Sequence, residues 1–110
     1  MSIFIFLIKT TRFVVKFEWD NNKNEKNQAK HGISFEEACQ IFEDPLHIAI
    51  LDKRYSYYEE RWISIGKMKN EETVVAANLY YDIEGNEIIR IISARYATIN
   101  ERRQYEEGTR

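Results

Sequence analysis

Cysteine is almost missing: Cys39 stands alone among 110 residues, which excludes an intrachain disulfide and a cysteine-built metal cluster. One proline and four glycines exclude a collagen-like or linker-rich chain. The longest apolar run, Ile3 to Ile8, falls far short of the ~20 residues a membrane-spanning helix needs. It also lacks the basic lead-in and the small-residue cleavage site of a signal peptide. Histidine is scarce, and His31 and His47 are neither at zinc-ligand spacing nor beside the cysteine. No phosphate loop, dinucleotide fingerprint or nucleophile elbow occurs. What is present is ordinary for a globular chain: 44% hydrophobic and 31% charged residues, with six Phe, seven Tyr and two Trp. The expectation is one cytoplasmic domain over residues 1–110, in which 1–15 form an N-terminal extension or an added edge strand.

The formal net charge is −2, without the basic excess of a general duplex-binding protein. It is unevenly spread. Residues 1–35 hold six basic and three acidic groups, whereas 36–60 hold two basic and seven acidic. Residues 61–89 are again acidic, and 90–110 carry five arginines against three glutamates. A role with nucleic acid must therefore be local: a few convergent arginines holding one or two phosphates.

Periodicity orders the elements. Phe13 to Trp19 is β-branched and aromatic and reads as a strand. Asn21 to His31 is polar, with Ala29 its one apolar residue, but Asp20 as N-cap and Gly32 as C′ residue mark a helix. Ser34 and Glu37 have capping-box spacing, and Phe35, Ala38, Cys39 and Phe42 follow on one face of a helix that Pro45 stops. Leu46–Leu51, Arg61–Lys67, Thr73–Tyr81 and Glu87–Ala94 then read as strands. Glu84-Gly85-Asn86 marks a hairpin and Lys69 to Glu72 a short polar link, which favour antiparallel neighbours. Thr98 and Glu101 open a last helix ending near Gly108. The expected class is α+β: an antiparallel meander sheet of four to five strands, two N-terminal helices packed on it and a C-terminal helix.

The residues that can carry chemistry are mainly arginines. Guanidinium suits phosphate because its planar fork makes two charge-assisted bonds. Strand alternation puts Arg61 with Ile63 and Ile65. It puts Arg90 and Arg95 on opposite sides of the sheet unless a bulge intervenes. The bland alternative pairs each arginine with a carboxylate on a solvated face. His31 fits a helix end stabilised by the dipole, yet an imidazole there can also transfer protons near neutrality. Cys39 reads as a small core residue. The Tyr55-Ser56-Tyr57-Tyr58 loop suits base stacking or an edge covering the core.

Several motifs in order resemble one family. Phe17-Glu18-Trp19-Asp20, Lys23, Asn27, Lys30-His31-Gly32 and Ser34 to Ala38, running through Phe42 to Pro45, resemble the opening of BrnT-type toxins. The likeness resumes at Glu60-Arg61-Trp62 and Ile65-Gly66. It closes with Arg90 to Arg95, Ala97-Thr98, Glu101-Arg102-Arg103 and Tyr105-Glu106, covering roughly residues 16–107. The resemblance implies a RelE-like toxin of a type II toxin–antitoxin system that cuts RNA, inhibits translation and uses no metal or other cofactor. It implies His31, Arg61 and Arg95 as catalytic residues and Lys30, Arg90, Arg102 and Arg103 as RNA-binding residues. The implied partner is a BrnA-like ribbon-helix-helix antitoxin, through which operator DNA is reached indirectly; no membrane is involved. Two departures stand out: residues 1–13 precede the usual family start, and Tyr96 replaces a lysine common beside Arg95. The alternative is a non-catalytic RNA- or protein-binding module that keeps only the antitoxin-binding surface.

Overall fold

Alternating Val15, Phe17 and Trp19 give one strand a wholly apolar side, and the rest of the chain is arranged around it. The computed structural model describes residues 3–9, 14–54 and 59–108. Its elements are β1 (Ile3–Lys9), β2 (Val14–Asp20), α1 (Asn21–His31), α2 (Phe35–Ala38), a 3-10 turn (Cys39–Glu43), β3 (Ile48–Leu51), β4 (Arg61–Lys67), β5 (Thr73–Ile83), β6 (Asn86–Tyr96) and α3 (Ile99–Gly108). Phe13 and the Tyr55 to Tyr58 loop lie outside the described residues.

The class is α+β, but the sheet is not an antiparallel meander. It has six strands in the order β1-β2-β6-β5-β4-β3, and β2 runs parallel to β6 while every other pair is antiparallel. The reason is local. Short links fix only sequential neighbours, and β2 has no short link to any later strand. Its partner is chosen by packing, which sets Phe17 beside Ile89 and Glu18 beside Arg90. The Ile3 to Ile8 run is an edge strand, paired antiparallel with β2 from Ile3↔Asp20 to Lys9↔Val14. The β5–β6 hairpin closes through Glu84 and Gly85 with φ of 53° and 82°, the paired left-handed residues of a type I′ turn.

Both helix caps near the N-terminus form as the residues dictate. Asp20 Oδ1 accepts the N–H groups of Asn22 (2.8 Å) and Lys23 (3.2 Å), and Gly32 at φ 72° donates its N–H to Gln28. Ser34 Oγ accepts from Glu37 N–H at 3.0 Å while Ser34 N–H donates to Glu37 Oε1 at 3.1 Å. The helix they open is shorter than its periodicity suggests. It is α-helical only to Ala38, then tightens to 3-10 over Cys39–Glu43. At three residues per turn Ile41 swings inward and is fully buried, while Phe42 is left half-buried. Pro45 favours the tightening, because the residue before a proline avoids the α region and Asp44 is extended.

The main core lies between α1, α2, the 3-10 turn and one side of the sheet. It holds Phe17, Trp19, Phe35, Ile41, Ile89 and Ile91 among others. Cys39 belongs to it: its S–H donates to Phe35 O, and burial pushes the thiol pKa up. A smaller core on the opposite side packs Tyr105 of α3 against Ile65 and Val75. Tyr105 O–H donates to Asp44 Oδ2 at 2.6 Å, and the same oxygen accepts Lys67 N–H at 2.9 Å, so one carboxylate ties α3 to the sheet corner.

Candidate functional site

The sheet side that α1 and α2 leave uncovered collects the arginines. Directly opposed residues of neighbouring strands share a face, so the register gives a row: Glu18 of β2, Arg90 of β6, Leu79 of β5 and Arg61 of β4. Arg61 and Arg90 thus flank Leu79, with Cα atoms about 10 Å apart across two strand spacings. The next row on this face is Ser93, Ala77 and Ile63, and the one after it Arg95, Val75 and Ile65.

That Arg95 and Arg90 share a side follows from an irregularity in the ladder. Ala77 pairs with Ser93 but Asn78 with Ile91, so Ile92 is an extra residue. Strict alternation would set the two arginines on opposite faces, and the bulge reverses the parity. Arg95 nevertheless stands apart from Arg61. It lies four β5 residues from the Arg61 row, about 13 Å along the strand. The structure brings Arg61 to Arg90 rather than to Arg95. Between the two groups lie the small side chains of Ala77, which is buried, and Ser93.

Arg90 and Arg95 each have a carboxylate partner. Arg90 Nη1 donates to Glu18 Oε1 at 3.2 Å. Arg95 makes a fork to Glu101 of α3, with Nη1 to Oε1 at 2.7 Å and Nη2 to Oε2 at 2.8 Å. Glu101 also caps α3 by accepting Thr98 N–H at 2.9 Å, while its own N–H donates to Thr98 Oγ1 at 3.2 Å. Arg95 holds the Glu101 carboxyl down at about 2, against the opposing effect of burial, and the Thr98 bonds add to this. The stabilisation is present above the usual 4.5 and is lost as pH falls through about 2. With the Arg95 side chain 42% exposed, the pair contributes less than ~1 kcal/mol. We expect the melting temperature of the native protein to exceed that of Glu101→Gln near neutrality, and the two curves to converge as pH approaches 2. A constant gap down to that pH would contradict this reading of the pair.

The remaining residues singled out in the sequence sit elsewhere. Lys30 and His31 are in the last turn of α1, where positive charge suits the helix dipole. Among the described residues, no hydrogen bond or ion pair joins either side chain to the arginine face. Arg102 and Arg103 are exposed on α3, on the element that covers the Arg95 end of the face.

Sequence reasoning missed the residues that complete the Arg61–Arg90 row. Glu18 stood out only as part of the Phe17-Glu18-Trp19-Asp20 motif, with no role of its own, and its neighbour is set by the parallel pairing. Tyr81 lies two residues beyond Leu79 on the same face, and its O–H donates to Glu59 Oε2 at 2.6 Å. Its hydroxyl pKa is pushed up to about 12 by burial and then by Glu59. Asn78 points the other way: buried at 0% exposure, it accepts the Ser64 hydroxyl at 2.7 Å through Oδ1.

A family model described as the ribonuclease toxin BrnT of type II toxin–antitoxin systems matches residues 19–101, which takes in the helices α1 and α2, all of β3 to β6 and Arg61, Arg90 and Arg95. No curated protein matches the chain. β1 and the first five residues of β2 precede the matched region. Among the described residues no helix is long and apolar enough to cross a membrane. With the family matched over well more than half of its length, the chain belongs to the BrnT ribonuclease toxins of type II toxin–antitoxin systems.

Proposed function

We propose that this toxin cuts RNA by metal-independent transphosphorylation on the open face of the sheet. The ribose 2′-hydroxyl attacks the adjacent phosphorus, the bond to the 5′-oxygen breaks, and a 2′,3′-cyclic phosphate is left. Because the nucleophile belongs to the substrate, the protein must position it and stabilise charge on the phosphate. The observation that carries this reading is the flanking of Leu79 by Arg61 and Arg90, two guanidinium groups on one side of the sheet. They hold the reacting phosphate between them. Arg95, one row beyond Ala77 and Ser93, meets a neighbouring phosphate of the same RNA strand, and Arg102 and Arg103 extend that contact along α3.

His31 and Lys30 fit this scheme as helix-end residues rather than as reacting groups. The antitoxin is a BrnA-like ribbon-helix-helix protein, and operator DNA is contacted through it, in keeping with the net charge of −2 on the toxin. The test is cleavage of a single-stranded RNA by purified protein in excess EDTA. Undiminished cutting that leaves 2′,3′-cyclic phosphate ends is expected. Loss of cutting that only a divalent ion restores would overturn the metal-independent mechanism.

A second reading takes the pairing of Arg90 with Glu18 and of Arg95 with Glu101 as the resting state of a module that binds without cutting. Induced expression separates the two. Growth arrest abolished by Arg61→Ala favours the nuclease, and arrest unchanged by it favours binding alone.

A further inference from the structure

The arginine row stabilises charge but moves no proton, and transphosphorylation needs one taken from the 2′-hydroxyl and one given to the 5′-oxygen. Two groups beside the row can do this. Tyr81 follows Leu79 by two residues on β5, so it stands on the same face one step, about 7 Å, along the strand. Glu59 precedes Arg61 by two residues at the entry to β4. The Tyr81 hydroxyl donates to Glu59 Oε2 at 2.6 Å, a bond between groups 22 positions apart that the hairpin geometry alone does not require. Both line a cleft of about 390 Å³ together with Leu79 and Trp62. Arg90 and Glu18 are close enough to act on the Tyr81 hydroxyl electrostatically. Glu59 is exposed and Tyr81 half-buried, so a substrate reaches both.

We propose that Glu59 and Tyr81 are the acid–base pair of this site, a proposal that rests on the open face being where RNA is cut. Glu59 takes the proton of the 2′-hydroxyl as the O2′–P bond forms. Tyr81 gives its proton to the 5′-oxygen as the P–O5′ bond breaks. The protein is then left with a protonated carboxyl and a phenolate, and transfer across their own hydrogen bond returns the proton to Tyr81 and restores both groups. The hydroxyl pKa of about 12 keeps Tyr81 protonated at neutral pH, while an alkoxide leaving group is more basic still and draws the proton off.

The leaving group tests the assignment. Tyr81→Phe should slow cutting of ordinary RNA by ~10²-fold or more. On an RNA with sulfur in place of the 5′-bridging oxygen at the cut, the departing thiolate has a pKa near ~8.5 and needs no proton, so Tyr81→Phe should regain close to the native rate. Glu59→Gln should be slow on both substrates, because removal of the 2′-proton is still required. Circular dichroism and melting curves for each variant report whether the fold is kept. Equal losses by Tyr81→Phe on the oxygen and sulfur substrates would show a structural role and overturn the proposal. So would native-like cutting by Glu59→Gln. If the native protein itself fails to cut, or leaves ends other than cyclic phosphate, the reading of the site fails and this assignment fails with it, an outcome distinct from either variant result.

Discussion

Arg61→Ala is expected to lower kcat/KM for RNA cleavage by ~10²- to 10³-fold while leaving the fold intact. In the proposed mechanism the guanidinium meets charge that grows in the transition state, where a donor is worth more than in the ground state. The loss should therefore appear chiefly in kcat. Arg61 opens β4, and its backbone carbonyl, which accepts Asp52 N–H at 2.7 Å, survives any side-chain change. A melting curve of the variant separates a loss of catalysis from a loss of fold. Arg61→Lys should recover little, since an ammonium is a point charge without the planar fork. Arg103→Ala, on the exposed side of α3, should instead weaken RNA binding modestly and reduce its salt dependence. Cleavage by Arg61→Ala at the native rate would remove the arginine row from the mechanism.

The second large effect concerns stability, at a residue with no part in the chemistry. Asn27→Ala is expected to cost about 2–4 kcal/mol. Asn27 is a buried residue of α1, only 8% exposed. Its Nδ2 donates to Ile33 O at 3.1 Å and Ala94 O at 2.8 Å, and its Oδ1 accepts Ala94 N–H at 3.2 Å. The side chain thus acts as one more strand at a point of β6 that β2 does not reach, its pairing with β6 ending at Arg90. Truncation leaves buried backbone groups of Ala94 without partners, and such orphans cost far more than an average hydrogen bond contributes. Asn27→Asp should also destabilise, since a carboxylate cannot donate to the two carbonyls. Gln28→Ala, exposed on the same helix, should be nearly neutral. Urea unfolding midpoints at constant m-value measure all three. An Asn27→Ala midpoint within error of the native one would mean that α1 is held by other contacts.

Both residues show how far local pattern reaches. α1 was readable from its caps, Asp20 and Gly32, but not from any apolar stripe, because it docks through amides. Asn24 does the same work as Asn27, its Oδ1 accepting Phe35 N–H at 2.8 Å. Asparagine in a polar run carries no signal of burial, so the docking face could not be found by periodicity. The strands β4, β5 and β6 were legible to within two residues at most ends because their links are short and their β-branched content is high. The bulge at Ile92 was not. A single inserted residue leaves the composition of a strand unchanged while reversing the face of everything on one side of it.

The sequence by itself determined the α+β class, the capped helices, the hairpin at Glu84-Gly85 and the membership that the ordered motifs declare. These rest on neighbours a few residues apart, where turn geometry, capping and side-chain period act directly. Tertiary structure alone decided that β2 runs parallel to β6, that Arg61 shares a row with Arg90 instead of Arg95, and that Tyr81 finds Glu59. Those outcomes depend on which strands lie side by side and on the parity of one ladder. Both are set by burying Phe17, Trp19, Ile89 and Ile91 together under the helices, a global requirement that no short stretch of the chain encodes.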